Sequence, residues 1–172
     1  MSFFHRLFGR AREREAILPL YEALVGEGRD PAWYRDGGVP DTLEGRFDMV
    51  ASVLALVLLR LEAEGEKARR ESVLLTEIFI DDMDASLREL GTGDMMVGKK
   101  VGKLVGALGG RLGGYRESAG DPAAFEAAVR RNVFRDDPRS GEAVPRVAER
   151  LAGLRTRLAA ASLEDLLAGR LA

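Results

Sequence analysis

The chain has 172 residues, with 26 Lys and Arg against 28 Asp and Glu, one histidine and no cysteine. The cysteine count excludes disulfides, thiolate metal sites and cysteine nucleophiles, and His5 alone is a poor basis for imidazole catalysis or a histidine metal site. A formal net charge of −2 argues against DNA binding, which draws its affinity from many phosphate contacts, and the length suits one domain.

The pattern is helical nearly throughout, rich in Ala, Leu, Glu and Arg and without strand-like alternation. The first segment, "FFHRLFGR", reads as a short basic helix near residues 2–9. Phe3, Phe4, Leu7 and Phe8 form its apolar side, flanked by Arg6 and Arg10. Such a helix can lie on an anionic membrane surface, and docking on the rest of the fold is the alternative of equal weight. It lacks the long apolar stretch of a secretory signal, and acidic residues return by Glu13, so a cytoplasmic protein is expected.

A second helix follows from about 12 to 26. "RDPAWYRDGGVPD" is a connector broken by Gly37, Gly38 and Pro40. Asp41 is placed to cap the next helix, with Glu44 completing a variant capping box. Leu43, Phe47, Val50, Leu54, Val57 and Leu61 then recur every three or four residues, with Met49, Val53, Leu56 and Leu59 on the other sides. A helix apolar nearly all round belongs at the centre of a bundle. Its longest apolar run, Met49–Leu59, would span roughly 16 Å, too short for about 30 Å of hydrocarbon.

After a polar link from Gly65 to about Arg70, a helix over 71–90 is predicted, with Leu75, Phe79, Met83, Ser86 and Leu90 inward and a stop at Gly91. Its outer side carries Glu77, Asp81 and Asp84, with Arg88 one turn beyond Asp84 as an i,i+4 partner, while Asp82 borders the apolar stripe. The short Gly91–Gly93 turn implies an antiparallel hairpin, which places Asp82 near Lys99 and Lys103 as a cross-helix ion pair. The aspartates also invite comparison with the DDxxD spacing that holds Mg²⁺ on a diphosphate, but Ala85 occupies the required position.

"VGKKVGKLVGALGGRLGGY", residues 97–115, repeats glycine at 98, 102, 106, 110 and 114. Val101, Leu104, Val105, Leu108, Leu112 and Tyr115 gather within roughly 100° of a helical wheel, so the segment reads as a helix with a core-facing stripe. Each glycine costs about 1 kcal/mol relative to alanine in a helix interior, so something outside the helix must offset seven of them. A neighbouring helix of the same domain filling the glycine flank, a thin groove kept for another protein, and a kinked end near Gly109–Gly114 are three readings the pattern leaves open. Lys100, Lys103 and Arg111 fall on the remaining flank, as a solvated face or the basic edge of such a groove.

"SAGDPAAFEAAVRRNVF" opens another helix, capped by Asp121 with Pro122 in its first turn and Phe125, Val129 and Val133 inward. A loop, "RDDPRSGEAVP", precedes amphipathic segments near 145–161 and 163–171, split by Ser162 as a further cap.

Three stretches, "DTLEGRFDMVASVLALVLLRL" (41–61), "IDDMDASLRELGTGDMMVGKKVGKL" (80–104) and "RRNVF" (130–134), together resemble the ubiquinol–cytochrome c chaperone family. The resemblance covers roughly residues 10–135, is most specific from Asp82 to Asp94 and the following Lys99–Lys100 pair, and leaves the stretch after about 140 unassigned. It implies a non-enzymatic helical protein of the bacterial branch, assisting assembly of the respiratory cytochrome bc1 complex by binding cytochrome b or an early intermediate. Mitochondrial relatives also work with a small partner protein and associate with the mitochondrial ribosome.

The expectation is therefore an all-α, single-domain, monomeric bundle of about six to eight helices: a basic amphipathic segment (1–11), a chaperone-like domain (12–140) and C-terminal helices continuous with it or packed on it (141–172). Asp82, Asp84, Arg88, Asp94, Gly98, Lys99, Lys100, Gly102 and Gly106 are the candidate partner-binding residues. Phe3, Phe4, Arg6, Phe8 and Arg10 are the candidate membrane-surface residues, which would put the cytoplasmic protein at the periphery of the inner membrane. No catalytic residue, metal or cofactor is assigned. A helical interaction scaffold with no respiratory client is the alternative, and a Mg²⁺-dependent prenyl-diphosphate enzyme a weaker one.

Overall fold

The computed structural model describes residues 3–171, with side chains from Arg12 onward except that of Met95. The side chains of Phe3, Phe4, Arg6, Phe8 and Arg10 fall outside that description, so the membrane-surface expectation is not addressed by it.

The described residues form an all-helical bundle around one core. The first helix, α1 (Phe3–Gly28), is continuous where two were predicted, because "RAREREA" is made of good helix formers and one Gly9 is too little to break it. The connector folds partly into α2 (Pro31–Arg35). Asp30 caps it by accepting from the Ala32 N–H at 2.9 Å, and Trp33 is fully buried with its Nε1–H on the Glu27 carbonyl at 2.8 Å.

The central helix, α3 (Leu43–Glu62), is buried from Asp48 through Leu58, and α1 and the four longer helices that follow pack around it. Its cap is Thr42, whose hydroxyl accepts from the Gly45 N–H at 3.1 Å. The predicted cap, Asp41, instead pairs with Arg46 at 2.6 Å. Leu43 is 59% exposed and leaves the predicted stripe, since the helix begins there, ahead of the part its neighbours cover. Gly28 of α1 lies so close to α3 that an added Cβ would stand 2.8 Å from Val50 Cα, so bare backbone sets the distance between these two helices.

A 3₁₀ turn (Gly65–Ala68) leads into α4 (Arg69–Glu89), and the Leu90–Gly93 turn leads back along α5 (Asp94–Glu117). Gly91 adopts φ +75°, as a helix stop of this kind requires. Helix α6 (Pro122–Val133) is capped by Asp121 as predicted, accepting from the Ala123 and Ala124 N–H groups at 3.0 and 3.1 Å. In α7 (Ala143–Ala160), Val147, Leu151, Leu154 and Leu158 enter the same core. Ser162 caps the short α8 (Leu163–Leu167), which ends earlier than predicted at Gly169, φ +79°. Arg60 of α3 reaches the free carbonyls at the end of α7, donating to Leu158 and Ala161 at 2.9 Å each.

Candidate functional site

The predicted partner-binding residues all lie on the α4–α5 hairpin, in three separate settings. At its closed end Arg88 is clamped between Asp84, at 2.5 Å, and Asp94 of the first turn of α5. The i,i+4 pair expected from the sequence is thus joined by a second carboxylate across the turn. Lys100 donates to the Thr92 hydroxyl at 3.2 Å and folds back over the same turn.

Asp82 is not paired with Lys99 or Lys103. Helix α1 packs on α4 and brings Tyr21 to it, and the Tyr21 hydroxyl donates to Asp82 Oδ2 at 2.6 Å. Burial, and the carboxylate beside it, push the Tyr21 phenol well above its ordinary value, so it stays a donor at any working pH. Lys99 and Lys103 point the other way, since they project from the exposed side of α5 roughly opposite Leu108. The sequence could not choose between these partners because α1 is distant along the chain. We expect Tyr21→Phe to lower the unfolding free energy by about 1 kcal/mol, and a double-mutant cycle between Asp82 and Lys103 to show no coupling. Coupling in that cycle, read from urea unfolding midpoints, would refute the placement.

The other aspartates are also engaged separately. Asp81 pairs with Arg14 of α1 at 2.6 Å, so Asp81, Asp82 and Asp84 serve three different partners. Among the described residues no group of His, Asp and Glu side chains is arranged to hold a metal ion.

The glycine stretch is helical through Glu117, without the break considered near Gly109. Its inner side is Val97, Leu108, Arg111 and Tyr115, all buried, with Val101, Leu104 and Leu112 half-buried; Val105, placed inward by the sequence, is exposed. A Cβ added at Gly98, Gly102, Gly106, Gly109, Gly110 or Gly113 would meet nothing within 4 Å. Only Gly114 has a neighbour, Ala128 Cβ at 3.5 Å, where α6 packs. The expectation that a neighbouring helix fills the flank therefore holds at one glycine and fails at six. On the wheel Gly98, Gly102, Gly106, Gly109 and Gly113 lie within about 80° of one another, beside Leu112 and Val105. They form a strip of bare backbone facing outward.

At the far end from the turn, a shallow groove of about 570 Å³ runs between α4 and α5, lined by Val73, Thr76, Leu61 and Leu112 among others. A second, of about 610 Å³, is lined by Leu56, Leu59, Ala119 and Ala159. Glu62 and Arg116, paired at 2.7 Å, line both, so one exposed ion pair stands between two apolar hollows.

Under the strip lies a buried polar network the sequence reading missed. Arg111 is 2% exposed, not on a solvated flank, and its Nη2 meets Asp48 Oδ1 of α3 at 2.5 Å and the Asn132 carbonyl of α6 at 2.5 Å. Arg135 holds the other oxygen of Asp48, through Nε at 3.0 Å and Nη2 at 2.9 Å. It does so from a left-handed backbone, with φ +54° at Arg135 and +57° at Asp136, an arrangement costly for residues with a Cβ. The Tyr115 hydroxyl donates to Ser52 Oγ at 3.0 Å, and Ser52 in turn donates to the Asp48 carbonyl at 2.7 Å. Burial raises the Asp48 carboxyl above its ordinary range, against the opposing pull of the two guanidiniums. A signal for Arg111 existed, since it stands seven residues after Leu104, two helical turns along the same stripe. The backbone turn that delivers Arg135 left no such signal.

Among the described residues no helix is long and apolar enough to cross a membrane. The family model described as ubiquinol-cytochrome C chaperone matches residues 35–172. That range runs through α8, well past the point near 135 where the sequence resemblance ended, because the C-terminal helices contribute packing stripes rather than recognisable motifs. The chain is similar to the crystal structure of the Cbp3 homolog from Brucella abortus, with a TM-score of 0.79 and 32% sequence identity over 97% of this chain and 94% of that one. No curated protein matches it.

Proposed function

Because the chain belongs to the ubiquinol-cytochrome C chaperone family, we propose that it is an assembly chaperone for the respiratory cytochrome bc1 complex, acting as a non-enzymatic holder of cytochrome b or an early intermediate. The supporting observation is the outward strip of glycines on α5, which no part of the described fold covers. Seven glycines weaken this helix, and its own domain recovers little of that cost through packing. A partner backbone lying along the strip would recover it by close contact, as small residues four apart allow between membrane helices.

In this reading Gly98, Gly102 and Gly106 touch the client, and the strip continues through Gly109 to the groove at Val73 and Leu112. Arg88, between Asp84 and Asp94, fixes the corner that carries the strip, while Asp82 anchors α4 to α1. Lys99 and Lys100 border the strip without forming it.

The test is affinity capture of the tagged full chain from its own cells after mild detergent extraction, probed for cytochrome b. Recovery of cytochrome b, with reduced bc1 complex in a deletion strain, is expected. Capture of unrelated proteins only, together with normal bc1 levels in the deletion strain, would refute the reading in favour of a general scaffold.

A further inference from the structure

The first half of α5 has a second face that the client reading does not use. Met96, Lys99, Lys100 and Lys103 follow the i, i+3, i+4, i+7 spacing, so they share one side of the helix within roughly 100° of arc. All four are exposed, Met96 at 49%. Leu90, in the turn just before, is exposed at 59%. No described carboxylate forms an ion pair with these lysines; Arg88 bridges the nearby Asp84 and Asp94, Glu89 is exposed beside Leu90, and Lys100 meets only the neutral Thr92 hydroxyl, so the three lysines and Arg88 outnumber the three carboxylates at this corner by one.

Three ammonium groups without a carboxylate partner thus share one helix side on a protein whose net charge is −2, with two large apolar side chains at the same end. We propose that this corner of the hairpin docks on an anionic lipid surface, the lysines against headgroup phosphates and Leu90 and Met96 dipping into the interface. Charge complementarity selects an anionic partner. The two exposed apolar side chains select a lipid surface over nucleic acid, to which three cations alone would give little affinity at physiological salt. The lysine side of α5 lies beside the glycine strip rather than on it.

Co-sedimentation of the full chain with vesicles tests this without any client, so the result is independent of cytochrome b capture. Binding is expected to phosphatidylcholine vesicles containing phosphatidylglycerol, and not to phosphatidylcholine alone. It should weaken as salt is raised. Combined Lys99→Glu, Lys100→Glu and Lys103→Glu should lower the partition on the order of 100-fold or more, at about fivefold per lost lysine charge. Leu90→Ser with Met96→Ser should weaken binding and leave the remainder more salt-sensitive. Lys100→Glu alone should reduce binding where Lys67→Glu, an exposed lysine in the turn before α4 and matched in net charge, does not. These single reversals carry the test if circular dichroism shows the triple variant to be unfolded. Failure of the wild-type chain to bind anionic vesicles would overturn the proposal. So would undiminished binding by the lysine variants, loss of binding only with Arg6→Glu and Arg10→Glu, or preference for RNA or polyglutamate over the vesicles.

Discussion

Replacing Gly98, Gly102, Gly106 and Gly109 together by alanine is expected to raise the unfolding free energy by about 2–4 kcal/mol and to weaken cytochrome b capture. Each position is helical, each added methyl group enters open space, and alanine loses less backbone entropy on folding than glycine. A rise in the urea midpoint at unchanged slope measures the first half of the prediction. Capture of cytochrome b by the same variant measures the second. Leucine at Gly102 and Gly106 should abolish capture while leaving the fold intact, because the side chains have room on the free chain but occupy the space of a docked backbone. If the alanine variant is more stable and both variants capture cytochrome b as well as the wild type, the strip is not the client surface. The presence of so many glycines in one helix would then need another explanation.

Removing Arg111 should do the opposite on a similar scale. Arg111→Met is expected to lower the unfolding free energy by about 3–5 kcal/mol at neutral pH, because it leaves Asp48 buried with Arg135 as its only cation. Adding Asp48→Asn should recover part of the loss, since the uncompensated charge disappears with it. The pH dependence follows from the direction of the Asp48 shift. Burial raises its folded carboxyl above the unfolded value, so its favourable contribution is complete below the unfolded value and is lost as pH rises through the folded one. Without Arg111 the folded value moves higher still and more stability is lost on the way to neutrality. The difference between wild type and Arg111→Met should therefore be small in acid and full near pH 7. Urea unfolding across that range, giving a difference independent of pH, would contradict the assignment. Asp137 runs the other way. Arg139 holds its carboxyl at about 2, so its contribution is present above the unfolded value and lost only in strong acid.

The positions of the longer helices from α3 to α7 and most caps were legible because they depend on neighbours along the chain. Asp121 and Pro122, Ser162, and Gly91 announce their helix ends through local hydrogen bonds and backbone preference. Asp41 misled because Thr42, one residue on, offers an equally good oxygen, and only Arg46 decides which of the two is free to cap. Of the candidate site, the Asp84–Arg88 pair was legible as a helix-spacing effect. The Tyr21–Asp82 bond joins residues 61 apart and no spacing rule reaches it.

The same division holds for the whole molecule. The sequence by itself determined that the chain is all-helical, that residues 49–59 lie at its centre, and that the glycine stretch is a helix, because periodicity and propensity act over a few residues at a time. Its motif from Asp82 to Asp94 also carried the family resemblance. Only the tertiary structure decided that the glycine flank faces outward, that Arg111 belongs with Asp48, and that Lys99, Lys100 and Lys103 are left without carboxylate partners. Those outcomes depend on which helices pack against α5 and from which side, and packing joins residues whose separation along the chain carries no trace of the contact.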